Sequence, residues 1–488
     1  MNDMSAVRQA TDIPMMDACA LSEAIRAKSV SCVEVMTAYL DRIERLNPKV
    51  NAIVSLQDRG DCLAQARARD DELARGQYRG WMHGFPQAIK DLAATKGIRT
   101  TYGSPLFADF VPQADAIFVE RMKNAGSIVV GKTNTPEFGL GSQTYNPVFG
   151  PTRNAYDQTK TSGGSSGGAA VALALRMLPV ADGSDHAGSL RNPAAFNNVL
   201  GLRPAYGRVP SNADEVFLPQ LGVAGPMART VADLAQLLAV QAGYDARVPL
   251  SIREDPSVFA GPLDRDVKGL RLGWLGDLGG HLPMEPGILD LCRSALRVFE
   301  DLGCIVEEAE PGFDPEKIWQ AWLPLRQWQV GATWAPHYAD PAKREQMKPE
   351  ARWEIENGLR LTAFDVARAS GTRTAWYQTV RRLFETYDFL LLPTAQVFPF
   401  DVSTHWPKEI AGRAMDTYHR WMEVVIPATM AGCPAISIPV EFGAGGLPMG
   451  MQVIGPNHGE LKVLQLAAAY EAATGHVQKT LPPLLTQV

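Results

Sequence analysis

Three short segments carry residue types suited to nucleophilic chemistry. The first is Ser162-Gly163-Gly164-Ser165-Ser166-Gly167-Gly168, which sets two adjacent hydroxyls among four glycines just before a small-residue helical run. Glycine lets backbone and hydroxyl approach a ligand with no side chain in the way. A loop that opens a helix also presents unpaired N–H groups. A surface turn has the same composition, so this segment alone decides nothing. The second is Gly183-Ser184-Asp185-His186-Ala187-Gly188-Ser189-Leu190-Arg191, placed after the apolar run Leu178–Ala181. α/β sheets carry their sites at strand ends, and a serine after a glycine-bearing turn exposes its hydroxyl beside N–H groups able to face an oxyanion. The third is Gly84–Asp91, where Lys90 ends a strand-like apolar run. A buried lysine favours the neutral amine, a base near pH 7; a solvated ion pair is the ordinary alternative at a strand end.

Taken in order, Lys90, then GGSSGG, then the Gly188-Ser189 pair with Arg191 beyond it, the chain resembles the amidase-signature family. Ser165 and Ser189 stand 24 residues apart (189 − 165), as in that family's motif. Further segments look like family segments: GIRTTYGS (97–104), VGKTNTPEFG (130–139), GPTRN (150–154), GLRPAYGRVP (201–210), GPMARTVADLA (225–235), PAISIPV (434–440) and GLPMGMQVIG (446–455). The likeness runs from about Leu21 to near Ala473. It implies a Ser–cis-Ser–Lys triad with Ser189 as nucleophile, Ser165 as proton relay behind a cis peptide bond, and Lys90 as base. It also implies an oxyanion hole built from the backbone N–H groups of His186, Ala187, Gly188 and Ser189. Gly164, Ser166, Asp185 and Arg191 are the supporting residues: Asp185 holds the oxyanion turn, and Arg191 fixes the loop or meets a substrate carboxylate. No metal and no organic cofactor is implied.

One departure stands out. The family's turn is Asp-Thr-Gly-Gly-Ser, whereas this chain has Asp185-His186-Ala187-Gly188-Ser189. Ala187 requires a negative φ there. His186 is expected to cap a buried polar contact rather than face the substrate.

The elements that must position these residues follow from periodicity. Ser31 and Glu34 have the spacing of a capping box, and Val33, Met36, Leu40 and Ile43 make one apolar stripe. A helix over Cys32–Leu46 is expected, stopped by Asn47-Pro48. Strands are expected at Gln87–Lys90, Ser127–Gly131, Leu178–Ala181, Leu270–Leu275, Cys304–Glu308, Asp388–Pro393, Ala435–Val440 and Gly450–Gly455. Strands alternating with helical patterns predict an α/β fold. With the resemblance, this is an amidase-signature fold: a large central mixed β-sheet covered by helices on both faces. Residues 1–75 read as an N-terminal helical segment packed on a domain of 76–488, with a helical insertion at about 283–387. That insertion holds Trp319, Trp322, Trp328, Trp334, Trp353 and Trp376, six of the ten tryptophans. Their spacing fits core packing, with a partly aromatic substrate mouth or a homodimer interface as the sharper readings.

Gly126–Thr133 matches GxxxxGK[ST], but Ser-Ile-Val-Val reads as strand and Asn134-Thr135-Pro136 breaks the helix that a phosphate loop requires. Lys132 and Asp91 are expected to be scaffold. With 46% apolar residues, 20% charged and a net charge of −6, the chain lacks the basic patch that nucleic acid or an anionic membrane needs. Cys19, Cys32, Cys62, Cys292, Cys304 and Cys433 are scattered, without metal or disulfide spacing. Residues 1–18 show no signal-peptide pattern, and no run reaches spanning length. A cytoplasmic protein acting on a small molecule is expected. The resemblance implies a hydrolase of C–N bonds in apolar or aromatic amides, with anilides, carbamates and esters sharing the carbonyl geometry. A glutaminase subunit of a transamidation complex is the alternative.

Overall fold

The computed structural model describes residues 13–211, 215–218 and 220–486; the reading of the N-terminus as lacking a signal peptide therefore falls largely outside the described residues. Helix α1 (Ala18–Arg26) is followed by α2 (Cys32–Val50). Ser31 Oγ accepts from Glu34 N at 3.1 Å and Glu34 Oε2 accepts from Ser31 N at 2.8 Å, the expected capping box. The helix does not stop at Asn47-Pro48 but carries Pro48 inside its last turn. There the proline forfeits one hydrogen bond while Leu46 and Val50 stay buried. Asn47 ends the helix a turn later, its Oδ1 accepting from Ala52 N and Ile53 N at 2.9 and 2.8 Å.

Strands β1 (Ile53–Val54), β2 (Pro86–Lys90) and β3 (Ile128–Thr133) form a small sheet of their own in the order β1-β3-β2, with α3 (Arg59–Ala74) and α4 (Ile117–Asn124) between them in sequence. Residues 128–133 are thus strand, and no phosphate-cradling loop exists at the GxxxxGK[ST] match. The remaining core is an eight-stranded mixed sheet. It is built from β4 (Ala181–Asp185), β5 (Leu200–Arg203), β6 (Val223–Ala228), β7 (Arg271–Trp274), β8 (Ile305–Glu308), β9 (Phe389–Pro393) and, beyond a short hairpin of β10 (Glu409–Ile410) and β11 (Arg413–Ala414), β12 (Ala435–Phe442) and β13 (Pro448–Ile454). The order is β4-β6-β5-β12-β13-β9-β7-β8, antiparallel from β4 to β9 and parallel across β9, β7 and β8. The helices in sequence are α5 (Gly167–Ala174), α6 (Arg191–Phe196), α7 (Val231–Gln241), α8 (Ile288–Asp301), α9 (Pro315–Tyr338), α10 (Pro341–Gln346), α11 (Pro349–Gly358), α12 (Ala363–Leu383), α13 (Ile426–Ala431) and α14 (Glu460–Thr474). They flank the large mixed sheet, as the sequence predicts.

Several elements differ from expectation. The strand expected at Leu178–Ala181 starts at Ala181 instead, because residues 175–180 are buried without being extended in a ladder. Burial and strand conformation are separate properties, and the hydrophobic run reports only the first. β5 and β6 escape periodicity because both are buried on two faces and carry glycine or proline. The helical insertion begins at α9 rather than near 283, since α8 precedes β8 and β8 pairs with β7 in the large sheet.

Candidate active site

Lys90 sits at the C-terminal end of β2, where the edge of the small sheet meets β4 at the edge of the large one. Its side chain is 1% exposed. Nζ lies 2.8 Å from Ser165 Oγ, 2.8 Å from Ser166 Oγ and 3.0 Å from Ser184 Oγ. Burial pushes the ammonium down to about 7, against the pull of Asp182 and then Asp185. A neutral amine has two N–H groups and one lone pair, so three hydroxyl neighbours satisfy it fully. With N–H groups donated to two of them, the lone pair is left to accept from the third. Among the described residues, this is where the expected base and relay meet.

The Gly164–Ser165 peptide bond is cis. Gly164 is pressed against the neighbouring loop: a Cβ there would meet Thr144 Oγ1 at 3.0 Å and Gln143 N at 3.1 Å. Ser166 is the residue before α5, and its N–H donates to Ser189 O at 3.2 Å, tying the two serine segments together. Ser189 is 7% exposed, the most open of the three expected catalytic groups. The step from Lys90 to Ser165 is closed. The step from Ser165 to Ser189 is not, as no hydrogen bond of 3.5 Å or less joins the two hydroxyls. Catalytic hydrogen bonds are often long before substrate arrives and tighten with it.

Asp185 holds the turn between β4 and Ser189. Its carboxylate accepts from Gly188 N at 2.9 Å, Leu190 N at 3.2 Å, and Arg191 Nε and Nη2 at 3.0 and 2.9 Å, with Arg203 Nη1 at 3.2 Å. Burial works against its charge, but Arg191 and then Arg203 hold the carboxyl well below the usual range. Gly188 has φ +84°, and a Cβ there would strike Val425 Cγ2 at 2.7 Å, so only glycine fits. Its N–H is spent on Asp185 Oδ1, so of the four N–H groups expected to face an oxyanion the one at Gly188 already has a partner. Ala187 is absent from the positive-φ residues, as its side chain requires.

Arg191 is fully buried and fully committed, donating also to Val425 O at 2.9 Å, Gln452 Oε1 at 2.5 Å and Thr429 Oγ1 at 3.0 Å. It fixes the loop and has no donor left for a substrate carboxylate, which corrects that reading. Replacing Arg191 by Leu should destabilise the fold by about 3–5 kcal/mol, because a buried carboxylate loses its bidentate partner; urea unfolding of the two proteins measures it.

His186 points from the turn into the insertion, with Nε2 2.9 Å from Gln329 Oε1. Burial, then the Arg326 guanidinium, push its imidazole down to about 3, so it stays neutral. Lys132 donates to Ala93 O at 2.6 Å and Thr95 Oγ1 at 2.7 Å, and Asp91 accepts from Thr101 N at 3.1 Å. Both are scaffold. Two residues escape sequence reasoning. Asp182 and Ser184 lie on one face of β4, Asp182 Oδ2 accepting Lys90 N at 3.1 Å and Ser184 reaching Nζ. Period-two alternation would reveal both once the strand is set at 181–185 rather than 178–181.

Of the tryptophans, Trp319, Trp322 and Trp376 are core. Trp334 instead stacks on Phe138 at 3.9 Å, in a patch with Tyr102 and Phe107. The next residue, Gly139, borders the serine loop: a Cβ on it would stand 3.5 Å from Ser165 Oγ. Among the described residues, His281, Glu316 and Glu423 converge as metal-ligating types, but Arg420 already pairs with both carboxylates. No described helix is long and apolar enough to cross a membrane.

The family model described as Amidase matches residues 34–464. The chain is similar to an acylamidase from Rhodococcus erythropolis, 34% identical over 94% of this chain and 95% of that protein. It is equally similar to a glutamyl-tRNA(Gln) amidotransferase subunit from Alkaliphilus metalliredigens, 35% identical over 92% and 94%. In three dimensions it resembles a bacterial aryl acylamidase of the amidase signature enzymes, with a TM-score of 0.91 at 28% identity, covering 98% of this chain and all of the other.

Proposed function

Since the chain belongs to the amidase family, hydrolases acting on amides, we propose that it hydrolyses small apolar or aromatic amides, anilides and carbamates among them, through an acyl-enzyme on Ser189. The observation that carries this reading is the buried Lys90 amine 2.8 Å from Ser165 Oγ. Neutral Lys90 takes the Ser165 proton, Ser165 takes the Ser189 proton, and Ser189 Oγ adds to the carbonyl carbon. The oxyanion is met by the N–H groups of the turn. The relay returns a proton to the leaving nitrogen as the C–N bond breaks. Water then repeats the cycle on the ester, releasing the acid and restoring the Ser189 hydroxyl.

The apolar preference is supported by the aromatic patch around Phe138 and Trp334 beside the serine loop. Trp334→Ala should raise KM for 4-nitroacetanilide about tenfold, the worth of one lost aromatic contact. Its effect on propionamide should be smaller. Steady-state kinetics on both substrates measure the difference.

The glutaminase reading is favoured by the comparable likeness to a component of an amidotransferase. Incubating the purified chain alone with glutamine, aliphatic amides, anilides, carbamates and esters separates the two. Turnover of anilides or aliphatic amides is the expected result. Ammonia released from glutamine, with none of the other compounds cleaved, would replace the proposal with the glutaminase.

A further inference from the structure

Resting on the hydrolase reading above, we infer that His186 is a positioning residue for the oxyanion turn, acting through Gln329 and Arg326 of α9. Backbone N–H groups stabilise an oxyanion only if they are fixed before charge develops. On the sheet side the turn is fixed by Asp185, which Gly188, Leu190, Arg191 and Arg203 all hold. His186 is the next residue and reaches the opposite way, to the insertion.

Its two ring nitrogens meet different partners. Arg326 Nη1 lies 3.4 Å from Nδ1, and Gln329 Oε1 lies 2.9 Å from Nε2. Arginine only donates and an amide oxygen only accepts. One tautomer therefore satisfies both, with Nδ1 accepting and Nε2–H donating; the assignment follows from the partners. Arg326 is itself locked, donating from Nε to Glu354 Oε1 at 2.5 Å and from Nη2 to Tyr418 Oη at 2.9 Å. The Tyr418 hydroxyl donates to the same Glu354 oxygen at 2.7 Å. Glu354 lies on α11, and Tyr418 packs in one cluster with Phe138 and Leu140 beside the serine loop. The oxyanion turn, the insertion and the aromatic wall are thereby tied at one guanidinium, whose charge Glu354 offsets. A one-carbon side chain at 186 would not span the gap to α9.

The test is the second-order rate at which a fluorophosphonate labels the full chain, followed across about pH 6 to 9. Attack on phosphorus uses the same relay and oxyanion donors and needs no knowledge of the substrate. His186→Ala should lower the plateau rate about tenfold while leaving the pH midpoint, set by Lys90, in place. A purely structural loss would not be rescued by a donor alone. His186→Gln, whose amide N–H can reach Gln329, should recover most of the rate, and Gln329→Leu should fall between. Wild-type rates in His186→Ala would overturn the inference, while adducts on Ser189 leave the hydrolase reading intact. A wild-type chain that takes no label on Ser189 would overturn both. Should His186→Ala fail to fold, Gln329→Leu decides on the same criterion.

Discussion

Ser189→Ala is expected to abolish turnover, with a loss on the order of 10⁴-fold or more. No neighbouring hydroxyl is placed to substitute. Ser165 and Ser166 both lie against Lys90 Nζ, each 2.8 Å away, so either could be deprotonated. Neither stands in the turn after β4 whose N–H groups are proposed to meet the oxyanion. The variant should nonetheless fold, because the Ser189 side chain is the most open of the catalytic three and the turn is held by Asp185 and its two arginines. Equal melting curves with absent activity are the expected pair of results, and activity within tenfold of wild type would sink the nucleophile assignment.

Lys90 carries the second large effect. Its amine must be neutral to accept a proton, and burial brings its titration to about 7. As pH rises through that value the neutral fraction grows, so kcat/KM should climb and then level above it. Two pH units below the midpoint the rate should be roughly a hundredfold lower, since the base form follows the titration. Lys90→Met, which keeps much of the side-chain volume and removes the amine, should lose activity on the order of 10³-fold or more on the plateau above the midpoint. It should also erase the acid limb. A variant that kept near-normal rates at neutral pH would show that another group is the base. Asp182 moves the same limb in a predictable direction. Its carboxylate favours the ammonium form of Lys90, so Asp182→Asn should shift the midpoint to lower pH. A pH–rate profile of that variant reads the shift directly.

How much of this is legible before folding depends on whether a residue's role is local. The Ser31/Glu34 pair announces the start of α2 because both partners lie within one turn. The end of α2 is hidden because it is set by the Asn47 side chain reaching to Ala52 and Ile53. The three chemical segments are visible because glycine, serine and lysine recur at motif spacing. Their convergence is not visible, since Lys90 is 75 residues from Ser165 and reaches the serine loop from the end of β2. Asp182 and Ser184 stay hidden because the buried run before them draws the expected strand boundary too early. The engagement of the Gly188 N–H by Asp185 is a three-residue contact, yet nothing in residue type distinguishes it from an N–H left for an oxyanion. His186 shows both sides. Its departure from the family's turn is plain in the sequence, but its partners Gln329 and Arg326 lie more than a hundred residues away on the insertion.

The central assignment can be tested by mapping the adduct of a fluorophosphonate or sulfonyl fluoride by peptide mass spectrometry. Tryptic cleavage separates the two serines, placing Ser165 in the peptide 161–176 and Ser189 in 177–191. The added mass is expected on 177–191, at Ser189, and should disappear in Ser189→Ala. An adduct confined to 161–176 would contradict the assignment, by making the residue now read as relay the one that attacks.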